Sequence, residues 1–121
     1  MEKVPVRVHF SEAPAVEYTK ADGPIDAVSR RLIRQEHGAN LGVHHGTVQP
    51  PADYSGSFRE DVAMYALGGT GTVWVDGQEF SFGEGDAILI PGGSQYRHTV
   101  EDAEQTILIV FSPPPSPGKH H

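Results

Sequence analysis

The sequence predicts an all-β chain folded as an antiparallel sandwich or small barrel, and three observations carry that prediction. Residues 65–98 contain short apolar runs punctuated by Gly68-Gly69-Thr70-Gly71, Asp76-Gly77 and Gly83-Glu84-Gly85-Asp86. An Asp-Gly pair between alternating segments is the strongest short-range hairpin signal, because the favoured two-residue turn needs positive φ at both positions. Pro91-Gly92-Gly93 then ends the run Ala87 to Ile90, since proline has no N–H to give a central ladder. Strands this short and closely spaced make sandwiches or barrels.

The same stretch resembles the cupin family. The resemblance is carried by Tyr65-Ala66-Leu67-Gly68-Gly69-Thr70-Gly71, by Val75-Asp76-Gly77, and by Gly85-Asp86 followed at the family's spacing by Pro91-Gly92-Gly93. It implies an antiparallel jelly-roll β-barrel with little helix. It also implies pairing into a homodimer, which an exposed edge strand near the N-terminus would favour. Such a fold hosts many chemistries, so function has to be argued from the site.

The chain has 121 residues, enough for one domain with one core. We expect residues 1–111 to form it, with 1–24 as an N-terminal arm and loop region. Residues 112–121, SPPPSPGKHH, are expected to be an extended or disordered proline-rich tail. A net charge of -7 argues against nucleic acid as a partner, since phosphate backbones are bound by clustered positive charge. No apolar run reaches the roughly 20 residues that cross a bilayer as a helix, so no membrane role is expected. The opening Met1-Glu2-Lys3-Val4-Pro5 has no apolar leader core, which favours the cytoplasm. Cysteine is absent, which excludes disulfides and thiol chemistry.

In chain order, Val4 to Phe10 alternates weakly and reads as the edge strand. Ser11 to Pro24 is rich in turn formers and reads as loop. Ile25 to Ser29 is ambiguous, at most one helical turn, and Arg30 to Gln35 reads as a strand. Gly38-Ala39-Asn40 turns the chain into a strand over Leu41 to Val48, ended by Pro50-Pro51. Ala52 to Glu60 reads as a polar loop. Further strands follow at Val62 to Leu67, Tyr96 to Val100 and Thr106 to Phe111. The glycine segments read as hairpin turns. None precedes a helix, so no phosphate loop is implied.

By resemblance, the usual cupin metal would be held by two histidines one residue apart, a carboxylate four positions on, and a third histidine after the Pro-x-Gly turn. In this chain those positions carry Gly56, Phe58, Val62 and Tyr96. The first three have no donor atom, so no family-type metal is expected. Asp61 is one residue out of register, which in a strand turns it to the other face.

Five histidines precede the tail: His9, His37, His44, His45 and His98. On a strand, Tyr96 and His98 share one side, and the resemblance turns that side toward the cavity. Of His44 and His45 only one can face inward, and parity alone does not choose. His44, His45 and His98 are the metal candidates if a displaced zinc or iron site exists, because imidazole and carboxylate suit those ions. Without metal, Phe58, Val62, Met64 and His45 are candidate walls of an apolar pocket for a small organic molecule. His98, Tyr96 and His44 are then the candidate catalytic groups, with His98 as base near neutrality and Tyr96 as donor to a developing oxyanion. Three functions stay open: isomerase- or cyclase-type acid–base catalysis without cofactor, a metal-dependent dioxygenase or lyase, and a non-catalytic small-molecule binder.

Overall fold

The computed structural model describes residues 5–19 and 25–112. Ten antiparallel strands form: β1 (Ala15–Thr19), β2 (Ile25–Ile33), β3 (Gly42–Val48), β4 (Ala52–Ser57), β5 (Val62–Gly68), β6 (Thr70–Val75), β7 (Gln78–Gly83), β8 (Ala87–Ile90), β9 (Gln95–Val100) and β10 (Gln105–Phe111). Among the described residues, the only helical pieces are single 3-10 turns at Phe10–Glu12 and Gln35–His37. Among the described residues no helix is long and apolar enough to cross a membrane.

The strands make a six-stranded sheet in the order β1-β2-β3-β10-β5-β8 and a four-stranded sheet in the order β4-β9-β6-β7. The two face each other as a jelly roll. Alternation decides which side chains meet between them. Val62, Met64 and Ala66 of β5, Ile88 and Ile90 of β8, and Ile107 and Phe111 of β10 point in from one sheet. Val73 of β6, Phe82 of β7 and Tyr96 of β9 point in from the other, and all pack into one cluster. Ala27, Val48, Ala52 and Val100 form a second, smaller cluster, with Tyr18 and Tyr54 against it.

Asp76-Gly77 is the hairpin turn its sequence predicts. Both residues have positive φ, 49° and 84°, and Val75 pairs with Gln78 across them. The two flanking glycine segments are not hairpin turns. Gly69 lies where the chain leaves β5 in one sheet for β6 in the other, and Gly83-Glu84-Gly85-Asp86 returns it from β7 to β8.

Four local expectations are corrected. Residues 5–9 form no strand; the edge strand is β1, inside the segment that reads as loop, where Val16 and Tyr18 alternate with exposed Glu17. Ile25–Ile33 is one nine-residue strand, with no helical turn, because β1 and β3 pair along its two edges. The strand expected at Arg30 to Gln35 is the end of β2; the 3-10 turn Gln35–His37 follows it. Ala52–Ser57 is a strand and not a loop: Asp53, Ser55 and Ser57 face water while Ala52, Tyr54 and Gly56 lie against β9. The expected tail lies outside the described residues, apart from Ser112.

Phe82 is fully buried at the centre of the large cluster. Phe82→Ala should therefore lower the unfolding free energy in urea by about 3–5 kcal/mol.

Candidate functional site

Between the two apolar clusters the sheets leave a cavity of about 390 Å³. Its middle is apolar, lined by Phe58, Met64, Ile107 and Ile109. Its polar groups include Tyr96 and His98 on one sheet and Tyr18 and Ser29 on the other. The gap follows from small residues on the inward face, since Gly46 sits beside Ser29 across the β2–β3 ladder.

His98 is buried, with 4% exposure, and points inward from β9. Its Nε2 lies 2.7 Å from Gln105 Oε1, and Gln105 Nε2 donates to the Phe82 carbonyl at 2.8 Å. A carbonyl oxygen only accepts, so the second bond fixes which end of the amide faces His98. The amide oxygen accepts in turn, which puts the imidazole proton on Nε2. Nδ1 is left as the basic nitrogen. Burial lowers the His98 pKa and the bond to Gln105 opposes that. The ring is neutral at pH 7, edge-on to Phe82 at 5.8 Å.

Gly71 makes room for this pair. A Cβ there would come within 2.7 Å of both Gln105 Oε1 and the Thr99 carbonyl, and 3.2 Å from His98 Nε2. Only glycine allows β6 to approach so closely.

Tyr96 shares the inward face with His98. Its ring stacks on Phe58 at 4.9 Å with 8° between the planes. Burial first, then Tyr18 nearby, pushes its pKa up to about 12. The phenol keeps its proton at neutral pH.

The four family ligand positions do come together. Gly56 pairs with Tyr96 and would meet its ring 3.6 Å from a Cβ. Phe58 stacks on Tyr96, and Val62 joins the same cluster. The donors are missing: glycine, phenylalanine and valine cannot ligate, and the remaining phenol is held protonated. These residues do not fit the family's metal. Among the described residues no three His, Asp or Glu side chains gather as ligands. The displaced site imagined from His44, His45 and His98 does not assemble. His44 faces inward, 2% exposed, with its ring 4.8 Å from Phe111. His45 faces the opposite way and stacks on Phe10 at 5.1 Å, where burial lowers its pKa.

Of the expected pocket residues, Phe58 and Met64 line the cavity with Tyr96 and His98. Val62 belongs to the packed core, and His45 lies on the outer face. Asp61 is exposed, and its carboxylate accepts from the Gly92 N–H at 2.8 Å, bracing the turn after β8. Sequence reasoning missed Tyr18, Ser29, Tyr54 and Gln105. The alternations Val16-Tyr18 and Ala52-Tyr54-Gly56 could have revealed the first and third. Gln105 gave no signal beyond its place just before an apolar run.

Comparison with known proteins agrees with this architecture. The family described as Cupin domain matches residues 45–112, more than half of the sequence, and the chain belongs to that family. Comparison with curated proteins found no match. Among solved structures, the polyketide cyclase RemF from Streptomyces resistomycificus has a TM-score of 0.75 and 25% identity, covering 94% of this chain and 82% of that one. Ectoine synthase from P. lautus gives 0.78 at 17% identity, covering 93% and 80%. KdgF from Halomonas sp. gives 0.77 at 14% identity, covering 93% and 97%. The last two are similar in fold alone.

The tautomer can be read by nitrogen NMR of the imidazole, which should show Nε2 protonated and a pKa below the ordinary value of about 6.5. Gln105→Glu places a negative charge beside Nε2 and should raise that pKa. Gly71→Ala should destabilise the fold by about 1–3 kcal/mol through overpacking and break the His98–Gln105 bond in the same spectra.

Proposed function

We propose that this cupin rearranges a small oxygenated molecule by acid–base chemistry, as a cyclase or isomerase, with His98 as base and Tyr96 as donor. One observation carries the reading: Phe82, Gln105 and Gly71 fix a neutral imidazole in one tautomer at the wall of a mostly apolar cavity. The similarity to a polyketide cyclase supports it. His44, sealed against Phe111, has no chemical role in this reading.

The chemistry balances without oxidant or reductant. His98 Nδ1 takes a proton from a carbon next to a carbonyl. The electron pair moves onto the carbonyl oxygen, where the Tyr96 O–H donates a hydrogen bond to the enolate. In a cyclisation the enolate carbon attacks a second carbonyl of the same molecule, forming one carbon–carbon bond. The alkoxide produced recovers the proton from His98. In an isomerisation the proton returns to a different carbon. The apolar walls hold the chain folded and keep water from quenching the enolate.

The decisive test is turnover against pH with an aromatic poly-β-ketone. His98→Ala should lose about 10²–10⁴-fold in rate. Tyr96→Phe should lose turnover more than binding, because it removes the hydroxyl and keeps the ring on Phe58. A base must be unprotonated, so activity should fall on the acid side. Burial lowers the His98 pKa, so that limb should lie below about pH 6.5. The phenol stays protonated up to about 12, so the rate should stay flat from neutrality well into the alkaline range. Wild-type rates in both variants would make the pair structural.

Protein prepared without an affinity tag should carry well under one equivalent of zinc, iron, nickel or manganese by mass spectrometry. Near-stoichiometric metal lost in His98→Ala would favour the metal-dependent lyase or oxygenase. The working unit in this reading is a homodimer. Tyr65, Leu67, Leu89 and Val110 are exposed on the outer face of the six-stranded sheet, and covering such a face is a usual reason to pair. Light scattering at micromolar concentration should give the mass of two chains.

A further inference from the structure

The cavity carries polar groups on both of its facing walls. His98 and Tyr96 stand on the four-stranded sheet, while Tyr18 and Ser29 reach the cavity from β1 and β2 of the six-stranded sheet. Ser29 points inward because it alternates with Val28 and Arg30. It is 8% exposed, and its Oγ is buried with no hydrogen-bond partner among the described residues. A buried hydroxyl in that state costs stability, so it calls for an explanation. Its ladder neighbours are Val16 and Gly46, which offer no polar side chain and, at Gly46, no side chain at all.

Tyr18 lies diagonally across the β1–β2 ladder from Ser29, since it pairs with Ala27 two residues away. Diagonal neighbours on one face are within reach of a long side chain. The Tyr18 hydroxyl oxygen accepts from Arg31 Nη2 at 2.8 Å, and Arg31 is itself buried. A guanidinium only donates, so it draws electron density from the phenol and strengthens the Tyr18 O–H as a donor.

We propose that Ser29, with Tyr18 beside it, forms a subsite for an acceptor oxygen of the substrate, a carboxylate or ketone, on the wall of the cavity opposite the sheet that carries His98. The body between is apolar, matched to Met64, Ile107 and Ile109. The substrate class is thus a small, largely apolar molecule with more than one oxygen function. The proposal rests on the cavity being the substrate site, as in the function proposed above, and not on the chemistry done there.

Binding separates the two claims. Cinnamate, benzylideneacetone and propenylbenzene share one planar body and end in a carboxylate, a ketone and a methyl group. NMR-monitored titration of the full chain should show at least one oxygenated probe binding about tenfold more tightly than propenylbenzene. Cinnamate ahead assigns a carboxylate to the subsite, and benzylideneacetone ahead a ketone. Ser29→Ala and Tyr18→Phe should erase the preference while propenylbenzene binds as before. His98→Ala should keep it even where turnover is lost. Because Ser29 Oγ has no structural partner, Ser29→Ala should keep or raise Tm without ligand. A preference that survives Ser29→Ala, one that vanishes in His98→Ala, a lowered Tm in Ser29→Ala, or no saturable binding of either oxygenated probe would each overturn the proposal.

Discussion

β10 is the last strand among the described residues and a middle strand of its sheet. Backbone bonds tie it to β3 along one edge and to β5 along the other, so the six-stranded sheet is continuous only through residues 105–111. Its inward side chains then set the interior. Gln105 holds the imidazole of His98. Ile107 covers the bare backbone at Gly46, where an added Cβ would meet its side chain at 3.2 Å. Phe111 packs against both His44 and Phe58. Phe58 in turn stacks on Tyr96, so one strand, arriving from the far end of the sequence, positions both members of the proposed acid–base pair.

The sequence was most legible where hydropathy and glycine spacing agree. The strands from β5 to β9 follow from Val62-x-Met64-x-Ala66, Asp76-Gly77 and Pro91-Gly92-Gly93, and the pairing of Tyr96 with His98 on one face needs only strand parity. β4 was illegible for a physical reason. Its outward residues are Asp53, Ser55 and Ser57, and its inward ones include Gly56, small because Tyr96 lies against it. The polar-out alternation is there, but Asp, Ser and Gly are turn formers poorly represented in strands, so the composition reads as a loop and hides it. β1 and the start of β2 are specified by long ladders more than by local preference. The Gln105 clamp was beyond reach, because it joins residues brought together only by the fold.

The four positions that converge in the barrel exchange charge for packing. A metal site would place a divalent ion and its carboxylate in the interior, with solvation to be replaced by ligands. Here a glycine, two apolar residues and a protonated phenol fill the same space, and the histidine beside them is neutral. An interior of low dielectric strengthens each remaining dipole. A hydrogen bond from a fixed phenol, or one accepted by the free nitrogen of a fixed imidazole, is therefore worth more there than on the surface.

The division of the interior into two clusters of unequal size bears on which part of the fold opens first. The larger cluster joins ten buried side chains from both sheets, while the smaller joins four, none of them bigger than valine. Opening free energies within one protein scale with the apolar contacts that must part. The smaller cluster, with Tyr18 and Tyr54 over it, is the weak seam, and it borders the same cavity. That seam therefore parts at a lower free energy than the larger core.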